Sequence, residues 1–218
     1  MSAGTKLHQR YKTSSGKVCP GVTTLIGGQL GWNGAVLQAW TRKCCMNGDD
    51  PTLISKDAAD SGTAGHLLIE CYIKGTEPDL SAFTESQISR GRVAFEAFKG
   101  WNSKQSFKFV HTELSVVSEL FEYGGSIDLI AQDGDDLVLI DIKTSKSVYP
   151  EHILQLAAYS TAFREQEGKC ITSYHILQLS KTGGGYSDHI ISPAKISVAW
   201  QAFLCCRKLY DLQKLIKD

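Results

Sequence analysis

The sequence has no excess of charge. Its 23 lysines and arginines balance 23 aspartates and glutamates over 218 residues, so no global field draws the chain to a polyanion or an acidic surface. No stretch approaches the roughly 20 apolar residues of a membrane span, and no charged–apolar–cleavage pattern opens the sequence. The expected setting is therefore intracellular, with no membrane contact. There is no internal repeat and no clear linker. The seven cysteines (19, 44, 45, 71, 170, 205 and 206) include adjacent pairs but no C-x₂-C spacing, and their odd number reads as free, mostly buried thiols.

What is present fits one soluble domain. Hydrophobic residues make up 42% and charged residues 21%, ordinary values for a globule, and a chain of this length buries about 70% of its unfolded surface. The charge is unevenly spread. Residues 1–48 hold Lys6, Arg10, Lys12, Lys17, Arg42 and Lys43 and no acid, so a basic N-terminal lobe of +6 faces a remainder of −6. Such a lobe suits the gripping of phosphates. A basic, acid-poor start also resembles an organelle transit peptide. Tyr11, Trp32 and Trp40 in this region are either base-stacking surfaces or core.

Two hydrophobic segments, FEYGGSIDLIA (121–131) and LVLIDIKTS (137–145), flank the turn-rich QDGDD, a strong hairpin signal. A two-residue turn at Gly134-Asp135 sets Asp128 directly opposite Asp141, and a turn at Asp133-Gly134 makes the pair diagonal. Both keep the acids, with Lys143, on one face; a five-residue loop would reverse the parity. Val138, Ile140 and Ile142 fill one side of the second strand and Leu137 and Leu139 the other, the pattern of a strand buried on both faces. Charges at the end of such a strand are costly unless paired or bound to metal. Two carboxylates beside an ammonium can form a hard-oxygen site for Mg²⁺ or Mn²⁺ suited to phosphodiester hydrolysis; the plain alternative is a surface salt bridge. PEHILQLAAYSTAFREQEG (150–168) reads as a helix started by Pro150 and stopped by Gly168, with His152, Gln155 and Tyr159 on one face.

Helices are also expected near 33–46, 56–74 and 82–101, the last with Ile88, Phe95, Phe98 and Trp101 along one side. Strands are expected near 106–118, 121–131, 137–144 and 171–180, with helix 150–168 as the crossover to the last. A short strand at 186–191 then precedes a final amphipathic helix carrying Ile196, Trp200, Phe203 and Tyr210. The architecture is α/β, a central mixed sheet flanked by helices.

The blocks GGSID (124–128), DIKTS (141–145) and QLAAY (155–159), with the upstream Gly62-Thr63-Ala64-Gly65-His66, resemble the PD-(D/E)XK nuclease superfamily, specifically its RecB-like branch. PGVTTLIGG (20–28) followed by LQAW (37–40) resembles the opening of phage and mitochondrial exonucleases of that branch, so most of the N-terminal lobe is read as mature protein. The compartment is then the cytoplasm of a bacterial or phage-infected cell rather than an organelle. The resemblance implies a restriction-endonuclease-like core and a metal-dependent DNA exonuclease of recombination, repair or replication, with DNA as substrate and recombination or replication proteins as possible partners. A DNA endonuclease is the alternative, and a non-catalytic nucleic-acid-binding protein the reading from another class. By the same resemblance His66, Asp128, Asp141 and the Ile142 carbonyl hold metal, Lys143 acts on the water, and Gln155 and Tyr159 support the site. Glu113 is a weaker candidate. Some RecB-like nucleases hold an iron–sulfur cluster with four cysteines; the spacing here does not fit one, and none is expected. His8, His111, His175 and His189 are read as structural or exposed.

Overall fold

The computed structural model describes residues 10–217; Lys6 and His8 lie outside them. The chain opens with two short antiparallel strands, β1 (Tyr11–Lys12) and β2 (Val18–Cys19), and the helices α1 (Val22–Gln29), α2 (Gly34–Met46), α3 (Pro51–Lys74) and α4 (Glu85–Asn102). Then come β3 (Lys108–Ser118), β4 (Tyr123–Asp133), β5 (Asp136–Lys143), α5 (Pro150–Glu167), β6 (Ser173–Leu179), β7 (Tyr186–Ile190) and α6 (Pro193–Lys217). The five long strands form one sheet in the order β3-β4-β5-β6-β7. Every neighbouring pair is antiparallel except β5 and β6, which run parallel because α5 carries the chain back between them. This is the expected mixed sheet with helices on both faces.

Local chemistry sets the helix boundaries. Asp50 accepts hydrogen bonds from the Thr52 and Leu53 amides at 2.8 and 3.4 Å, Pro51 follows, and Gly75 closes the helix at φ 66°. α3 therefore starts five residues before the expected 56, at the Asp-Pro cap. Thr84 and Gln87 form a capping box ahead of α4. Gly168, at φ 66°, ends α5 in the left-handed conformation.

The alternation read in β5 sorts its side chains between two cores. Val138, Ile140 and Ile142 join Ala94, Phe98 and Trp101 of α4, while Leu139 joins the cluster built with α1, α5 and α6. Helix α1 is an addition to the expected elements. PGVTTLIGG is short and glycine-rich, so its helical period is weak, yet Val22, Leu25 and Ile26 are buried on one side, and α1 packs against α6 and α5. Helix α2, by contrast, buries only Cys44. All seven cysteines are free thiols, four of them buried. Among the described residues no helix is long and apolar enough to cross a membrane.

Candidate active site

The β4–β5 hairpin brings the two acids together. Asp133 pairs with Asp136 and Leu129 with Ile140, so the turn is Gly134-Asp135, with Gly134 at φ 60°, and the same register sets Asp128 opposite Asp141. The ladder stops at Leu129–Ile140. Beyond it the Asp128 carboxylate replaces a backbone partner, its Oδ2 accepting the Ile142 amide at 2.7 Å. A strand residue sends its N–H and C=O towards the same neighbour, so the Ile142 carbonyl is turned to the Asp128 side as well.

The row of acids extends one strand further. Thr112 pairs with Leu129 and Leu114 with Ile127, which sets Glu113 opposite Asp128. Glu113 adopts φ 50°, a left-handed conformation that costs a residue with a Cβ on the order of 1–3 kcal/mol and persists where surrounding structure imposes it. Its Oε2 accepts from Ser126 Oγ at 3.1 Å. Three adjacent strands thus each contribute a carboxylate at one level.

His66 reaches this row from α3. Its Nδ1 lies 3.6 Å from Asp128 Oδ1 and 4.0 Å from Glu113 Oε1. The glycines of Gly62-Thr63-Ala64-Gly65-His66 make that approach possible. A Cβ on Gly62 would lie 2.7 Å from Thr144 Oγ1 at the end of β5, and one on Gly91 of α4 would lie 2.9 Å from the Gly65 nitrogen. α3 is therefore held tightly against both β5 and α4. Potential ligand atoms of His66, Glu113 and Asp128 all lie within 4.8 Å of one another, a mixed nitrogen–oxygen set that fits a divalent cation.

Lys143 Nζ stands 2.7 Å from Asp141 Oδ2, and Asp141 is almost wholly buried. Gln155 and Tyr159 come from α5 and line the same cleft, a cavity of about 620 Å³ that also takes in His66, Glu113, Asp128, Asp141, Ile142, Lys143 and Thr23. Gln155 Oε1 is buried there without a hydrogen-bond partner among the described residues, a polar atom free to meet a bound group. His152, expected on the same face, stands outside the cleft lining. The Tyr149 amide donates to its Nδ1 at 3.3 Å, and burial lowers its pKa to about 4, aided by the Lys143 charge and opposed by Asp141, so it is a neutral imidazole.

The electrostatics follow from burial of like charges. Desolvation pushes the Asp128 carboxyl up to about 7, and Asp141 and Glu113 add to it against the opposing pull of His66 and Lys143. Burial works to lower the pKa of His66, but Asp128 and Glu113 outweigh it and the net shift is upward. Lys143 behaves likewise: desolvation lowers its pKa, and the Asp141 and Asp128 carboxylates more than restore it, leaving an ammonium. Burial and the nearby acids raise the Tyr159 hydroxyl well above its ordinary value, so it stays protonated and can donate.

Glycines 124 and 125 of GGSID have a steric role. A Cβ on Gly125 would fall 2.4 Å from Tyr159 Cε1, and one on Gly124 would fall 2.3 Å from Tyr11 Cγ. Tyr11 thus packs on the β4 backbone rather than presenting a free stacking surface, a role its sequence context did not reveal. Trp32 is 53% exposed and Trp40 half-buried.

The sheet order, the hairpin register and the acid–lysine end of β5 agree with a match to the model of the PD-(D/E)XK nuclease superfamily over residues 52–183, well over half of the chain. The chain belongs to the PD-(D/E)XK nuclease superfamily. Nucleases of this superfamily use divalent metals, and the acid row with His66 is a donor set that accords with one. No curated protein matches the sequence. Among solved structures, a candidate exonuclease from Eubacterium rectale is 11% identical, with a TM-score of 0.43 and 68% of each chain covered. An alkaline exonuclease from Laribacter hongkongensis is 17% identical, with a TM-score of 0.37, covering 58% of this chain and 72% of its own.

Among the described residues, His111, His175 and His189 stand apart from the cleft. His175 is buried, its Nδ1 2.9 Å from Asp188 Oδ1 and its Nε2 3.1 Å from Ser173 Oγ. His111 meets the edge of Phe163, and His189 is exposed beside Gln178.

Proposed function

We propose that the protein is a Mg²⁺- or Mn²⁺-dependent DNA exonuclease that hydrolyses phosphodiester bonds from strand ends. The observation that carries this reading is the row Glu113–Asp128–Asp141, flanked by His66 and ended by the Lys143 ammonium, on the wall of an open cleft. His66, Asp128, Asp141 and the Ile142 carbonyl would hold the metal, with Glu113 as a further carboxylate beside His66 and Asp128. When bound, the metal would neutralise charge on the transferring phosphoryl group and lower the pKa of the attacking water.

The chain's own groups do the rest. Lys143, beside the Asp141 carboxylate, orients or activates the attacking water and, as an ammonium, stabilises the negative charge that develops on the phosphoryl oxygens. Tyr159, kept protonated, donates a hydrogen bond on the same wall, and Gln155 orients from one helical turn away. The exonuclease assignment rests on the resemblance of the motif blocks to RecB-like exonucleases. It also fits a substrate held through its backbone, since direct reading of sequence needs an element presenting several side chains to base edges.

Purified protein with Mg²⁺ or Mn²⁺ is expected to degrade linear DNA with weak sequence preference and strong inhibition by salt, and to spare covalently closed circles. Cutting of closed circles, lost in Lys143→Ala, would make it an endonuclease. Binding of DNA with no hydrolysis under any divalent metal would make it a non-catalytic binding protein.

A further inference from the structure

A second cavity, of about 370 Å³, shares Thr144 and Ser145 with the cleft and continues to the β6–β7 turn. Its character is opposite to that of the acid row. Among the described residues its lining includes Lys146 and Lys181, the hydroxyl residues Thr182 and Ser187, and no acid. The wall is braced from several sides. Gln178 Nε2 donates to the Ser145 carbonyl at 2.9 Å, and Lys181 Nζ donates to the Ala58 carbonyl of α3 at 2.8 Å. Ser180 Oγ accepts the Thr182 and Gly184 amides at 3.2 and 3.0 Å, and Gly183 and Gly185 take φ 96° and 74°, which fixes the turn. Lys146 is exposed and forms no ion pair among the described residues. Lys181 keeps ammonium protons beyond the one given to Ala58.

We propose that this cavity is a phosphodiester subsite, holding a backbone phosphate of the strand next to the one at the acid row. The proposal rests on the nuclease reading and adds to it where the strand lies: past the end of β5, over the β5–α5 loop and against the β6–β7 turn. Two lysines among hydroxyl residues, in a lining that holds no acid and adjoins the acid row, match the alternation that a polyphosphate strand requires, although Lys181 also feels the Asp57 carboxylate of α3 from outside the lining.

The test measures binding of a fluorescein-labelled oligodeoxythymidylate by anisotropy across a salt series. It uses Mg²⁺-loaded protein in a Lys143→Ala background so that the strand persists. Lys146→Ala is expected to weaken binding several-fold and to reduce the slope of log K against log salt by about 0.7, the value for one lost phosphate contact on a single strand. Lys146→Glu should weaken it further, and Lys146→Arg should retain it. Lys181→Ala should act in the same direction, with its melting temperature followed because Lys181 also tethers the turn to α3. A single neutral methylphosphonate linkage walked along the strand should weaken wild-type-cradle binding at one position and leave Lys146→Ala unaffected there. Unchanged affinity and slope in Lys146→Ala and Lys146→Glu, with the strand still bound, would overturn the subsite and leave the nuclease reading standing. Near-wild-type hydrolysis in the Lys143→Ala background would instead strike at the role given to Lys143, and absence of hydrolysis with Lys143 intact would strike at the nuclease reading.

Discussion

Replacing Gly125 with alanine tests the packing that seats Tyr159 at the cleft. The new Cβ would lie 2.4 Å from Tyr159 Cε1 and 3.0 Å from Cδ1, inside any real carbon–carbon contact. The ring has little room to retreat, because Leu156, Ala157, Ala158, Ala162 and Phe163 of the same helix are buried in the surrounding core. Overpacking of this kind costs about 1–3 kcal/mol, reduced by the roughly 0.5–1 kcal/mol that a strand gains when alanine replaces glycine. At about 2–4 °C per kcal/mol for a domain of this size, the melting temperature should fall by several degrees. Nuclease activity should fall with it, since the ring must leave its place beside Asp141. The decisive measurement is a double-mutant cycle in urea. In a Tyr159→Ala background the clash has no partner, so Gly125→Ala should become neutral or stabilising, with a coupling of at least about 1 kcal/mol. If Gly125→Ala melts within a degree of wild type, or costs the same with and without Tyr159, the packing argument fails.

Asp128→Asn, Asp141→Asn and Lys143→Ala should each lower hydrolysis on the order of 10²-fold or more while the circular dichroism stays native; two of the three remaining near wild type would sink the site assignment. His66→Ala should weaken Mn²⁺ binding in calorimetry on the order of tenfold or more, and an unchanged titration would reduce His66 to an ion-pair partner of Asp128. In metal-free protein the Asp128 carboxyl, raised to about 7 chiefly by desolvation, binds its proton more tightly folded than unfolded. Its contribution to stability is therefore fully present below about pH 4 and is lost as pH rises towards 7. Urea midpoints in EDTA at pH 5 and pH 8 should show a smaller difference in Asp128→Asn than in wild type; an equal difference refutes the shift.

The parts legible in the sequence were those governed by short periods. Alternation in β5 and the turn-rich QDGDD gave the hairpin and the convergence of Asp128 with Asp141 on one face, while the choice between the Gly134-Asp135 and Asp133-Gly134 turns came only with the structure. Pro150 and Gly168 marked α5 within a residue, and α5 carries Gln155 and Tyr159 to the cleft. Contacts made across long separations left weaker traces. Glu113 lies opposite Asp128 only because β3 pairs with β4 in one particular register, and its left-handed backbone is imposed by the fold rather than by any local preference of glutamate. Tyr11 gave no signal, because what defines its place is the missing Cβ of Gly124, 113 positions away. The second cavity was equally invisible, since Lys146 and Lys181 belong to different loops that meet only when β6 pairs with β5.

The zero net charge, which argues against a polyanion as ligand, loses its force once the charges are located. Glu113, Asp128 and Asp141 stand in one row and are partly answered by His66 and Lys143. Pressed together and desolvated, these acids repel phosphate unless a cation lies among them, which is why Asp128 holds its proton towards neutrality in the metal-free chain. A divalent ion in that row would reverse the local sign, while Lys146 and Lys181 supply positive charge without any ion. Attraction for the substrate would then depend on metal at the row and be constant at the neighbouring cavity, so a strand could be held weakly before the metal arrives but gripped at the acid row only afterwards.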